Sequence, residues 1–127
     1  MTMSGAPKHR ILMVEDESLL LEVITADLED AGFSVLQAAT AEIALNILEA
    51  ETSIDILFTD IRLPGQMDGW QLAEAARSLR PGLPVIYATG FSQTPPRLIE
   101  GSVFFTKPYR AAAVIRAIQS FEAGPKS

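Results

Sequence analysis

The chain has 127 residues, 48% of them hydrophobic and 20% charged, which suits one soluble domain with its own core. It has no cysteine, which excludes disulfides, thiolate metal sites and cysteine nucleophiles, and its net charge of −6 argues against nonspecific nucleic-acid binding. No apolar run approaches the ~20 residues that cross a bilayer, and Met1 to Arg10 lack a secretory apolar stretch, so a cytoplasmic protein without membrane contact is expected.

Residues 1–8 read as a flexible tail, 9–122 as one domain and 123–127 as a polar end. Ile11 to Val14 is a short aliphatic run that suits a strand buried on both faces. Ser18 to Ala31 follows with helical spacing through Leu20, Val23, Ile24 and Leu28, stopped by Gly32. Phe33 to Ala38 is the second strand, and Thr40 caps a helix to about Ala50 with Ile43, Ile47 and Leu48 on its apolar face. Ile54 to Thr59 is the most hydrophobic strand and is expected at the centre of the sheet. Asp68 can cap the next helix with Gln71 in the reciprocal position, and Pro81-Gly82 closes it. Pro84 to Ala88 and Val103 to Thr106 are the last strands, and Tyr109 to Phe121 is the last helix. Only seventeen residues separate Thr89 from Lys107, among them Pro95, Pro96 and Gly101, so a short turn of helix or a loop is expected there.

Such alternation predicts an α/β fold, a doubly wound five-stranded parallel sheet with helices on both faces. Ligands of these sheets bind beyond the carboxyl ends of the strands. Strand one ends in Glu15-Asp16, strand three in Asp60, strand four in Thr89 and strand five in Lys107. Clustered carboxylates repel one another unless a cation lies among them, and an all-oxygen set suits a hard ion, Mg²⁺ best, with Mn²⁺ able to substitute. A carboxylate at Asp60 can act as nucleophile and form an aspartyl phosphate, with Thr89 and Lys107 on the phosphoryl oxygens. Each residue also has a plainer reading: Glu15-Asp16 as a helix cap, Asp60 as a turn former, Thr89-Gly90 as a turn. Their joint placement at successive strand ends favours the site.

The residues resemble the receiver domain of bacterial two-component response regulators over about residues 9–122. The resemblance rests on Ile-Leu-Met-Val-Glu-Asp-Glu (11–17), Ile-Leu-Phe-Thr-Asp-Ile-Arg-Leu-Pro (56–64), Met-Asp-Gly (67–69), Ala-Thr-Gly (88–90) and Lys-Pro-Tyr (107–109). It implies a flavodoxin-like strand order 2-1-3-4-5, here with a shortened fourth helix. It implies Asp60 as phosphoacceptor, and Glu15, Asp16, Asp60 and the backbone carbonyl of Arg62 as ligands of Mg²⁺. Thr89 and Phe104 would be the switch residues, Lys107 the phosphate-binding ammonium, and the Lys107-Pro108 peptide cis. The implied partners are a sensor histidine kinase or histidine phosphotransfer protein and a downstream protein target. The chain would be a phosphoacceptor rather than an enzyme, monomeric or weakly dimeric.

Four features depart from the family's usual pattern. Glu15-Asp16 stands for Asp-Asp, the loop Pro64 to Asp68 is one residue longer, Phe104 lacks a hydroxyl, and the segment after Thr89 is short. Pro-Val-Ile-Tyr-Ala-Thr-Gly-Phe (84–91) also resembles a subgroup of stand-alone regulators with a Phe-Ala-Thr-Gly-aromatic motif, and a stand-alone regulator is expected over a receiver of a hybrid sensor kinase. Phe91 and Arg62 flank the site and are expected to tune the lifetime of the phosphoryl group. An aspartate-nucleophile phosphatase would want an acid two residues after Asp60, where Arg62 stands. A flavin carrier would want a Ser/Thr/Gly-rich loop in place of Glu15-Asp16-Glu17. Trp70 reads as a first-turn packing residue, and the alanine-rich last helix as close-packed or as a docking face.

Overall fold

The computed structural model of the chain describes residues 9–51, 53–90, 99 and 101–123. Five parallel strands lie in the order β2-β1-β3-β4-β5: β1 is Arg10–Val14, β2 Ser34–Ala38, β3 Ile56–Asp60, β4 Val85–Thr89 and β5 Val103–Thr106. Among the described residues four helices join and cover them, α1 (Ser18–Asp30), α2 (Ala41–Ala50), α3 (Gly69–Leu79) and α4 (Ala111–Ala123). The doubly wound sheet and its strand order are those expected. The shortened fourth helix and Phe91 fall within 91–98, which lie outside the described residues, as do 1–8 and 124–127.

Because side chains alternate along a strand, each central strand feeds two cores. Leu12, Val14, Leu57, Val85 and Tyr87 meet Ala41, Ala44 and Leu48 of α2 and Leu72, Ala73 and Ala76 of α3. Ile11, Met13, Ile56, Phe58, Ile86 and Ala88 meet Leu21, Ile24 and Leu28 of α1 and Val114 and Ile118 of α4. β3 is buried at every position, as a central strand covered on both faces requires. The apolar last helix is packed on this second core, with Ala111, Ile115, Ala117 and Phe121 flanking the buried pair.

Strand boundaries differ from the apolar runs in a way that matters for the site. β3 begins at Ile56 rather than Ile54, and β4 begins after Pro84 rather than on it. Pairing decides this: Ile11 aligns with Ile56, Asp60 with Ala88, and Thr89 with Thr106. The Ile61 N–H donates to the Ala88 carbonyl at 2.9 Å and the Lys107 N–H to the Thr89 carbonyl at 2.7 Å. Asp60 and Thr89 are thereby the last residues of rigid strands instead of the first residues of loops.

The starts of α2 and α3 follow side-chain capping. Thr40 Oγ1 accepts from the Ile43 N–H at 3.1 Å. Asp68 and Gln71 form the reciprocal box, each side chain accepting the other's backbone N–H at 2.9 Å. The C-terminal end of α2 is closed by a distant side chain, the guanidinium of Arg80. It donates to the carbonyls of Leu48 (2.8 Å) and Glu51, which the helix end leaves without partners, and to that of Ile54 (3.0 Å) beyond it.

Candidate functional site

At the carboxyl edge of the sheet the register brings together the ends of β1, β3, β4 and β5. Lys107, directly after β5, places Nζ 2.9 Å from Asp60 Oδ2 and 2.9 Å from Glu15 Oε1, with Glu17 Oε1 at 3.6 Å. Oxygens of Glu15, Asp16 and Asp60 lie within 4.8 Å of one another. Glu15 and Asp60 are 2% and 6% exposed, Thr89 is buried beside them on the neighbouring strand end, and Asp16 faces solvent. One face of the cluster is thus sealed and the other open, which gives a small ion or group a way in.

The helix-cap reading of the acidic pair fails on geometry. The residue before α1 is Glu17, whose side chain makes no cap bond, and its N–H instead donates to Glu15 Oε2 at 3.0 Å. The turn reading of Asp60 fails as well, since Asp60 ends β3. The Lys107-Pro108 peptide is cis.

Electrostatics are unbalanced in the expected sense. Burial pushes the Asp60 carboxyl above its ordinary value, against the pull of the Lys107 ammonium and of the Arg62 and Ile61 amides. Burial likewise pushes Glu15 up, opposed by the Glu17 N–H and Lys107 and reinforced by the charge of Asp60. Burial draws the Lys107 ammonium down, but its bonds to Asp60 and Glu15 outweigh that and raise it. A single ammonium serves two buried carboxylates, so the cluster carries excess negative charge. Among the described residues the group is made of the carboxylates of Glu15, Asp16 and Asp60, and all-oxygen donors fit a hard divalent cation.

Two residues that hold the segment between β3 and α3 owe their role to packing that local sequence does not explain. The first is Gly69 at the start of α3, whose N–H donates to the Ile61 carbonyl at 2.8 Å. A Cβ there would collide with the Asp60 carbonyl oxygen and stand 2.7 Å from Ile61 Cα. Both are backbone atoms and cannot swing away. Gly69→Ala is therefore expected to destabilise the domain by about 2–4 kcal/mol and to displace Asp60, read as a lowered urea midpoint together with slower phosphoryl uptake. A wild-type midpoint in this variant would mean that the α3 start is not rigidly held.

The second is Glu42 in the first turn of α2. Its Oε2 accepts the N–H groups of Gln66 and Met67, both at 3.1 Å. Gly65, at φ +97°, makes the turn that aims them, and a side chain there would meet the Glu42 carboxylate at 2.9 Å. A carboxylate of another helix thus clamps this loop. Only the close approach of α2 and α3 reveals it.

Trp70 packs in the first turn of α3 as expected, its ring centroid 4.8 Å from that of Tyr87. Phe104 pairs with Tyr87 across the β4–β5 ladder and packs against the α2–α3 core. His9 lies at the opposite end of the sheet, with Nδ1 3.6 Å from Asp55 Oδ2.

The model of the response regulator receiver domain matches residues 11–119, nearly the whole described domain. The chain belongs to that family. A receiver protein from Sinorhizobium medicae shares 31% identity with a TM-score of 0.86, over 91% of this chain and 95% of that one. The receiver domain of the hybrid histidine kinase CckA shares 33% identity with a TM-score of 0.75, over 87% and 95%. The transcriptional regulatory protein GlrR of Escherichia coli (strain K12) is 32% identical over 120 residues, 91% of this chain but 26% of its own length. This receiver domain thus spans about a quarter of that curated relative. It is a response regulator receiver of two-component signalling, a phosphoacceptor domain whose family typically binds Mg²⁺. Among the described residues no helix is long and apolar enough to cross a membrane.

Proposed function

We propose that this receiver, residues 9–122, accepts a phosphoryl group on Asp60 from the phosphohistidine of a sensor kinase or phosphotransfer protein, and passes the signal to a protein target. The observation that carries the reading is the buried Asp60 carboxylate, 2.9 Å from Lys107 and beside Glu15 and Asp16. An Asp60 oxygen attacks phosphorus, the P–N bond breaks, and the imidazole leaves with the bonding electrons. Glu15, Asp16, Asp60 and the Arg62 carbonyl are the groups to hold Mg²⁺ or Mn²⁺, which when bound neutralises charge on the transferring oxygens. Lys107 takes an equatorial oxygen, releasing Asp60 as it does so, and the Thr89 hydroxyl donates to another.

The product carries close to two negative charges and three acceptor oxygens in place of one carboxylate. Movement of Thr89 and Phe104 then alters the surface around β4, β5 and α4. A phosphatase is disfavoured by Arg62, which stands where an acid would be needed to protonate a leaving alcohol.

The test is intact-protein mass after incubation with Mg²⁺ and a small-molecule phosphoryl donor. A gain of one phosphoryl group is expected, absent in Asp60→Asn and suppressed by EDTA. No gain in the wild-type protein would overturn the reading. A gain retained in Asp60→Asn would move the acceptor elsewhere.

A further inference from the structure

Ile61 to Gly69 form a loop whose base is tied. The Ile61 N–H donates to the Ala88 carbonyl at 2.9 Å, and the Gly69 N–H to the Ile61 carbonyl at 2.8 Å. Near that base the Arg62 and Ile61 amides bear on the Asp60 carboxylate. Farther along, Leu63 and Met67 pack against the α2–α3 core. There two successive N–H groups, those of Gln66 and Met67, converge on one oxygen, Glu42 Oε2, both at 3.1 Å. Adjacent amides aimed at one point make a small anion-binding bend, which the left-handed Gly65 sets up.

Glu42 has a plainer reading as an acid in a helix first turn, favoured there by the helix dipole. Its contacts point elsewhere. The start of α2 already has its cap, since Thr40 Oγ1 takes the Ile43 N–H. The bonds of Glu42 instead reach 24 and 25 residues along the chain. Gly65 fits against the same carboxylate, for a Cβ there would stand 2.9 Å from Oε1. Arg62 lies between the tied base and this grip, so its freedom is limited from both sides.

We propose that Glu42 is a positioning residue of the acceptor site, whose grip on Gln66 and Met67 holds the loop with the Arg62 carbonyl already placed to ligate a divalent cation. The inference rests on the reading of Glu15, Asp16, Asp60 and the Arg62 carbonyl as the metal ligands. A loop fixed beforehand loses less freedom on binding, which raises affinity without adding a contact.

The experiment follows wild type, Glu42→Ala, Glu42→Gln and Thr40→Ala by NMR, well below their melting temperatures. Amide exchange of Gln66 and Met67 is measured without metal, and affinity by titration with MgCl₂. Binding is assigned to the site by its weakening in Asp60→Asn. Glu42→Ala is expected to exchange both amides faster and to bind Mg²⁺ about fivefold more weakly. Glu42→Gln, which keeps an acceptor oxygen, should recover most of both. Thr40→Ala, which loses only the cap of α2, should melt lower yet bind Mg²⁺ as wild type does. Wild-type affinity or wild-type exchange in Glu42→Ala would overturn the proposal. So would a Thr40→Ala variant weakened equally, since helix stability would then be the cause. A Glu42→Gln variant as weak as Glu42→Ala would overturn it too, because charge rather than bonding would be at work. If the wild-type protein binds no Mg²⁺, the metal-site reading itself fails and this inference with it, whatever the amide exchange shows of the clamp.

Discussion

Replacing Lys107 with alanine is expected to lower the stability of the metal-free receiver by about 2–3 kcal/mol, at the low end for a broken buried ion pair because one side of the cluster is open. The ammonium stands 2.9 Å from both Glu15 and Asp60, and neither carboxylate has another cation that close in the described structure. Its removal leaves two nearly buried acids facing each other, and both must then rise further in pKa. The loss should grow from acid to neutral pH as those acids ionise. It should shrink when Mg²⁺ is added, since a ligand at a hundred times its Kd contributes about 2.7 kcal/mol. Urea midpoints at pH 5 and pH 8, with and without Mg²⁺, measure all of this. A deficit independent of pH and metal would show that Lys107 acts through packing of its stem alone.

Asp60→Asn is expected to do the opposite to stability while abolishing phosphoryl uptake. Burial raises the folded-state pKa of Asp60 above its ordinary value of 3.8 even with Lys107 beside it. A raised folded pKa means that the native state binds the proton more tightly than the unfolded chain. Stability from this group is present below the unfolded value and is lost as pH rises through the folded one. Glu15 behaves in the same sense. The metal-free wild-type domain should therefore lose stability as pH climbs out of the acid range, and Asp60→Asn should flatten that fall and melt higher at neutral pH. Lys107 keeps Glu15 as a partner in this variant. Mg²⁺ should stabilise the wild-type protein by several degrees and Asp60→Asn by less, since one oxygen ligand is gone. Melting curves from pH 4 to 8 decide the matter. A variant that melts lower than wild type without metal would mean that the Lys107–Asp60 bond outweighs the burial of Asp60.

Much of the site was legible because the fold puts strand ends together whatever the loops do. Glu15, Asp16, Asp60, Thr89 and Lys107 each follow an apolar run, and a parallel sheet aligns the ends of such runs on one edge. Cap chemistry was equally legible: Thr40, Asp68 and Gln71 act within three residues of their partners. Gly69 was visible only as part of a motif. Its reason is the backbone of Asp60 and Ile61 pressed against it, which no local pattern announces. Glu42 reads as an ordinary first-turn acid until α2 and α3 are packed. Arg80 reads as a surface residue after a helix until its guanidinium meets the end of α2.

The sequence by itself thus determined the alternation of strands and helices, the caps of α2 and α3 and the residues at the strand ends, including Asp60, the proposed acceptor. These depend on periodicity and on contacts within a few residues. Tertiary structure alone decided the register that carries Asp60 and Thr89 into the ladder, and the ammonium shared between Glu15 and Asp60. It also decided the clamp of Glu42 on the loop before α3 and the packing of Trp70 on Tyr87. Each of these joins side chains far apart in the chain, and long-range pairing and packing fix their distances, which local pattern does not encode.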